Sequence, residues 1–244
     1  MSARVDVLGV GFDRVDLAAA AERVLRRLDA GDQTFVITAN PEFVMLARGD
    51  TELARIARRA QLVVADGSGV VVASQLLGDR LPRVPGRRLV DLVVPHLAQR
   101  RAPIFFLGAA PGVAERAAAE LRRRAPGLVV AGVHAGSAEP QHDALSVARV
   151  RDSGAHVLLV AYGMPKQERW IARNLPALPS VRLAIGVGGV FDQLAGIQKV
   201  PPEALHALGL EWLWRLAREP SRWRRQRVLP LFAMLVLRKR IVGR

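Results

Sequence analysis

The side chains best placed for chemistry fall at the ends of short β-type runs. Asp66 follows the buried run Leu62–Ala65 and precedes Gly67-Ser68-Gly69. A carboxylate there can act as a general base on a hydroxyl within hydrogen-bond reach, or cap the helix that follows. Thr38 and Asn40 end the preceding run, Thr34–Ile37, in the same manner, so the three polar groups could converge. After the run Val157–Ala161 comes Gly163-Met164-Pro165-Lys166-Gln167-Glu168. Proline suits a first helical position, so the spacing predicts a helix opened by Pro165, with Lys166, Gln167 and Glu168 in its first turn. Free amides, the positive dipole end and a lysine would draw a phosphate to that turn. A glycine cluster, Gly186, Gly188 and Gly189, ends the run Leu183–Val187. Far downstream, Arg215, Arg218, Arg222 and Arg225 recur at spacings of 3, 4 and 3. They read either as a solvated basic face or as a cluster whose planar forks grip phosphate oxygens. Glu219-Pro220 should break a helix between them.

Other chemistries are disfavoured. The chain has no cysteine, which removes disulfides, thiolate nucleophiles and cysteine-held zinc. His96, His134, His142, His156 and His206 lack ligand spacing, and neither a Walker A pattern nor HExxH occurs. No protein-bound metal and no cofactor are expected. The run Gly186-Val187-Gly188-Gly189-Val190-Phe191 has Phe where a dinucleotide fingerprint needs its last glycine. A nucleotide-dependent oxidoreductase is therefore a rival without its fingerprint.

These residues need elements to hold them. Runs over Thr34–Ile37, Leu62–Ala65, Ile104–Leu107, Leu128–Val133, Val157–Ala161 and Leu183–Val187 alternate with helical periods over Leu17–Leu28, Phe43–Ala47, Thr51–Ala60, Val70–Leu77, Leu89–Gln99, Val113–Ala125 and Gln141–Ser153. The first segment, residues 1–17, alternates like one strand. Strands alternating with helices imply an α/β fold, a mostly parallel Rossmann-like sheet with helices on both faces. At 244 residues and 50% hydrophobic composition, the chain can bury such a core. Residues 1–194 read as the α/β core and 195–244 as a basic, Trp-rich C-terminal helical appendage, with helices expected over Glu203–Arg218 and from Pro230.

The net charge is +14, of which residues 211–244, with ten Arg or Lys against two Glu, carry +8. Three of the four tryptophans, Trp212, Trp214 and Trp223, lie in the same tail, next to the apolar run Leu231–Leu237. A basic cluster implies an anionic partner. Pairing it with tryptophans and apolar residues favours a membrane interface over nucleic acid. No stretch is long and apolar enough to span a bilayer, and Asp6 and Asp13 interrupt any leader-like run. The chain is expected on the cytoplasmic face of a membrane, held peripherally. Self-association through the exposed apolar tail is also expected.

Several pieces coincide in one family. Thr38-x-Asn40, Asp66-Gly67-x-Gly69, Arg83-x-x-Gly86, Gly163-x-Pro165-Lys166-Gln167-Glu168, Gly188-Gly189-x-Phe191-Asp192 and Gly209-Leu210-Glu211-Trp212-x-x-Arg215-Leu216-x-x-Glu219-Pro220-x-Arg222 resemble the WecG/TagA/CpsF glycosyltransferases over nearly the whole chain. Lys199-Val200-Pro201 departs from the family's usual Arg-Ala-Pro, and Gln226 stands where an aromatic residue often follows. The resemblance implies inverting, metal-independent transfer of N-acetylmannosamine or a related hexose or uronic acid. The donor would be a UDP-sugar and the acceptor a sugar on a polyprenyl diphosphate, in cell-wall or exopolysaccharide synthesis. By position it makes Asp66 the base, with Thr38, Asn40, Arg83 and Gln167 lining the same pocket. The diphosphate would lie near Gly163, Pro165, Lys166 and Gly188, and Asp192 would hold the nucleoside. Arg215, Arg222 and Arg225 would fold over the pocket and neutralise departing UDP.

Overall fold

The computed structural model describes residues 4–200, 205, 211–218 and 223–242, apart from the side chains of 211, 212, 215, 224 and 225. Strands β1 (Val5–Val7) and β2 (Val10–Phe12) form an antiparallel hairpin turned at Leu8-Gly9. The alternation expected of one strand thus belongs to two, because Val7 and Val10 are both inward-facing partners across a two-residue turn. The remaining strands are β3 (Thr34–Ala39), β4 (Leu62–Ala65), β5 (Ile104–Gly108), β6 (Val130–His134), β7 (Val157–Ala161) and β8 (Leu183–Gly186). They make one six-stranded parallel sheet in the order β4-β3-β8-β7-β5-β6.

Strand side chains alternate between two apolar layers. Phe35, Ile37, Val63, Leu107, Leu158, Val160 and Ala184 share one core with helices α2 (Pro41–Gly49), α3 (Thr51–Arg59), α4 (Ser68–Leu76), α7 (Asp143–Asp152) and α8 (Lys166–Asn174). Val36, Val64, Phe106, Leu159 and Ile185 face the opposite core with α1 (Leu17–Asp29), α5 (Gly86–Gln99), α6 (Val113–Arg124) and α9 (Val190–Leu194). The chain leaves β3 over the first face and β8 over the second. Such divergence opens a crevice beyond the carboxyl ends of neighbouring strands.

Several boundaries differ from those read in the sequence. Helix α5 begins at Gly86, ahead of the expected Leu89, so Arg87 and Arg88 lie in its first turn. Helix α8 begins at Lys166, with Pro165 at its cap behind a cis Met164–Pro165 bond. The last helix runs Val228–Val242 and begins two residues before Pro230, which its unpaired first turn tolerates. This helix buries Phe232 and Val236 in the first core, against α2 and α4. The expected run Glu203–Arg218 is described only at 205 and as the helix Glu211–Arg218, where Arg218 lies 4.7 Å over the Trp214 ring.

Asp13 ties the hairpin to the sheet. Its carboxylate lies 2.9 Å from Arg23 Nη1 and 3.1 Å from Arg4 Nε, and accepts the Val63 N–H at 2.8 Å. The carboxylate is 8% exposed, so removing it strands two partly buried guanidiniums and an amide. Asp13→Ala should cost about 3 kcal/mol of unfolding free energy in urea melts. A loss within about 0.5 kcal/mol, the usual range for a surface change, would show that the hairpin is held by apolar packing alone.

Candidate active site

The carboxyl ends of β4, β3 and β8 lie side by side, and Thr38, Asn40, Asp66 and Gly188 stand at or just beyond them. Thr38 and Ala39 pair in register with Val64 and Ala65, and the Asp66 N–H donates to the Ala39 carbonyl at 2.9 Å. Asp66 therefore continues the sheet edge immediately beyond Asn40's strand. Gly67 follows with φ +108°, a conformation that L side chains rarely adopt. The cap position of α4 falls on Gly67.

Asn40 Oδ1 accepts the Phe43 N–H at 2.9 Å as the cap of α2, which fixes the side chain at the rim of the site. Thr38 Oγ1 donates across the crevice to the Gly186 carbonyl at 3.5 Å. Arg83 joins the same edge because its segment bridges Ala65 in parallel, with the Val84 N–H donating to the Ala65 carbonyl at 2.9 Å. Gly86 packs against Thr38: a Cβ there would sit 3.0 Å from Oγ1. These contacts bring Thr38 with Asn40, Asp66 and Arg83 to one edge from three separated segments.

Gln167 reaches the site from beneath. It is 4% exposed, and its Oε1 accepts the Gly188 N–H at 2.9 Å. A Cβ on Gly186 would lie 2.7 Å from Gln167 Nε2, so only glycine lets the amide cross under the strand end. Nε2 donates to Glu168 Oε1 at 2.9 Å. Glu168 is 2% exposed, and burial pushes its carboxyl up to about 7 against the lowering effect of the Gln167 hydrogen bond. The Gly188 N–H is thus already engaged, and Gly188 contributes its φ of +50° to the turn instead of a phosphate-binding amide.

The remaining candidates lie around this edge. Gly163 turns the chain after β7 with φ +74°, and its carbonyl accepts the Gln167 N–H at 3.0 Å. Lys166 is 62% exposed, and its Nζ is 3.4 Å from Glu139 Oε1, a surface pairing that leaves it mobile enough to meet an anion. Asp192 lies in the first turn of α9, where its carbonyl accepts the N–H groups of Ile197 and Gln198. The backbone of Arg215 belongs to the helix Glu211–Arg218 and that of Arg225 to the short helix Trp223–Gln226, while their side chains and Arg222 lie outside the described residues. Among the described residues, no group of three or more His, Asp or Glu side chains could hold a metal ion.

Glu168 is the residue that sequence reading passed over. A glutamate in a first helical turn ordinarily faces solvent and the dipole. The signal was its spacing: Gln167, Glu168, Trp170, Ile171 and Asn174 are all buried on α8, and positions 167, 168, 171 and 174 follow the helical period of one inward face.

The model of the glycosyl transferase WecG/TagA/CpsF family matches residues 5–244. A Bacillus spizizenii protein named N-acetylglucosaminyldiphosphoundecaprenol N-acetyl-beta-D-mannosaminyltransferase is 32% identical over 212 residues, covering 86% of this chain and 81% of its own. A Staphylococcus aureus (strain MW2) protein of the same name is 33% identical over 237 residues, covering 95% and 91%.

The buried Glu168 makes stability depend on pH. The folded chain keeps a proton that the unfolded chain releases near the usual 4.5. Its stabilising contribution is complete below about pH 4.5 and is lost as pH rises through about 7, by roughly 3 kcal/mol. Glu168→Gln should flatten that part of the stability profile in denaturant titrations between pH 4.5 and 8. Equal slopes for variant and parent would mean that Glu168 ionises alike in both states.

Proposed function

The chain belongs to the WecG/TagA/CpsF family of glycosyltransferases, and from that premise we propose which sugar it moves and how. The donor is a UDP-sugar, with N-acetylmannosamine the first choice from the relatives' name. The acceptor is a sugar carried on a polyprenyl diphosphate, as that name also describes. The observation that carries this reading is that Thr38 and Asp66 end adjacent strands, with Arg83 alongside through the Ala65 bridge and Thr38 touching the Gly186 carbonyl at the next strand's end.

In this reading Asp66 removes the proton from the acceptor hydroxyl as its oxygen attacks C1 of the donor sugar. The bond from C1 to the UDP oxygen breaks on the opposite side, so the anomeric configuration inverts. The base must stand within hydrogen-bond range of that hydroxyl. Thr38 and Arg83 line the pocket beside it, with Asn40 and Gln167 holding its walls. Charge developing on UDP meets positive side chains, Lys166 from the core and Arg215, Arg222 and Arg225 from the tail, in place of a metal ion. Asp192 and the Gly163–Pro165 turn bound the donor side.

The acceptor is membrane-borne, and the terminal helix supports peripheral attachment at the cytoplasmic face. No helix among the described residues is long and apolar enough to cross a membrane. The terminal helix exposes Leu231, Met234, Leu237 and Ile241 on the side away from Phe232 and Val236, next to Arg238 and Arg240. An apolar strip edged with cations fits an anionic bilayer surface. Docking there would order the tail arginines over the site and restrict turnover to the membrane. The same strip would serve self-association off the membrane.

Asp66→Asn should lower transfer by about a hundredfold or more while UDP-sugar affinity, read by calorimetry, stays within about threefold of the parent. Substantial residual transfer would dismiss Asp66 as base. Anionic vesicles should raise the rate on a lipid acceptor, and chelator should leave it unchanged. Equal rates with and without vesicles on a soluble acceptor would count against membrane-driven closure.

A further inference from the structure

The end of β8 must hold one shape for α9 to begin where it does. Thr38 Oγ1 holds the Gly186 carbonyl from the β3 side, and Gln167 Oε1 holds the Gly188 N–H from below. Two residues later, Val190 opens α9 with Asp192 in its first turn. A glutamine side chain has an accepting end and a donating end of nearly the same shape. Only one orientation serves Gly188, whose N–H needs an acceptor. The choice is made at the other end, where Nε2 meets Glu168 Oε1 in a region closed to water. The second oxygen, Glu168 Oε2, is buried without a hydrogen-bond partner, so the group has no direct hydrogen bond there to offset desolvation. Such an orphan in a native core calls for a reason.

We propose that Glu168 is a positioning residue for the transfer site: its buried acceptor oxygen locks the Gln167 amide, which in turn fixes the Gly186–Gly189 turn and the entry of α9 that presents Asp192. Without an acceptor at 168, a buried Nε2 is left unsatisfied and the amide loses its reason to keep Oε1 toward Gly188. The turn then samples other conformations, and the donor-side wall loses definition while Asp66 and Thr38, held by β4 and β3, stay in place. The proposal deepens the reading of this edge as the donor site and rests on it only for its catalytic consequence.

The test compares Glu168→Leu, which removes the acceptor at similar volume, with Glu168→Gln, which keeps an acceptor oxygen and a neutral head group. Amide exchange of Gly188 in the full-length ¹⁵N-labelled protein without nucleotide reports the lock directly. Glu168→Leu should speed exchange about tenfold or more and raise KM for UDP-N-acetylmannosamine about tenfold with kcat within about twofold. Glu168→Gln should match the parent in both. Parent-like exchange in Glu168→Leu, or exchange in Glu168→Gln as fast as in Glu168→Leu, overturns the proposal. If Glu168→Leu does not fold, Glu168→Asp, whose shorter reach withdraws the oxygen, decides in the same way. A parent enzyme that does not turn over UDP-N-acetylmannosamine would instead contradict that donor assignment, and the exchange comparison would still decide the lock.

Discussion

A buried side-chain amide lying under the end of a central strand sets the conditions for the rest of this site. β8 stands between β3 and β7, and its last residue must be glycine because Gln167 occupies the space that any Cβ would need. The amide converts the Gly186–Gly189 stretch from a loose connection into a fixed turn. A buried, water-free hydrogen bond favours a single geometry because any alternative leaves a polar group unsatisfied. The opposite wall follows from the sheet ladder, which carries Thr38 and Asp66 to the same edge through the β3–β4 register. The wall proposed for the donor and the wall that carries Asp66 are thus held by different devices, an amide relay and a strand ladder, meeting at the Thr38–Gly186 contact.

Division of labour extends to the tail. The terminal helix spends one side on the core through Phe232 and Val236 and leaves the other to its surroundings. Anchoring at Lys239, which pairs with Asp6 on the hairpin, brings the end of the chain back to its beginning.

Much of the sheet was legible because its strands are buried on both faces and read as short apolar runs ended by glycine or polar residues. The hairpin was not, since alternation passes unbroken through a two-residue turn at Leu8-Gly9. The start of α5 was missed because Arg87 and Arg88 looked like loop charges, although Arg87 pairs with Asp91 one turn on. In the site, spacing placed Thr38, Asn40 and Asp66 at strand ends but did not show which backbone groups they hold: Asn40 Oδ1 accepts the Phe43 N–H as the cap of α2, and Thr38 Oγ1 donates to the Gly186 carbonyl. Gln167 and Glu168 were legible as a motif and not as a buried pair. Their burial follows from which face of α8 meets the sheet, a tertiary fact that the period of the helix hinted at. Asp13 appeared only as a break in hydrophobicity, while its two arginine partners lie ten residues away and at the chain's start.

We propose that the nucleotide-sugar lies across the carboxyl ends of β8 and β7, opposite Asp66. Hydrogen–deuterium exchange mass spectrometry with and without saturating UDP measures this most directly. Slowed exchange is expected in peptides spanning Gly163–Glu168 and Gly186–Asp192, with little change in the hairpin or α3. Protection confined to the cleft between the hairpin turn and α2–α3, where Leu8, Arg48 and Arg58 line a cavity of about 350 Å³, would contradict it.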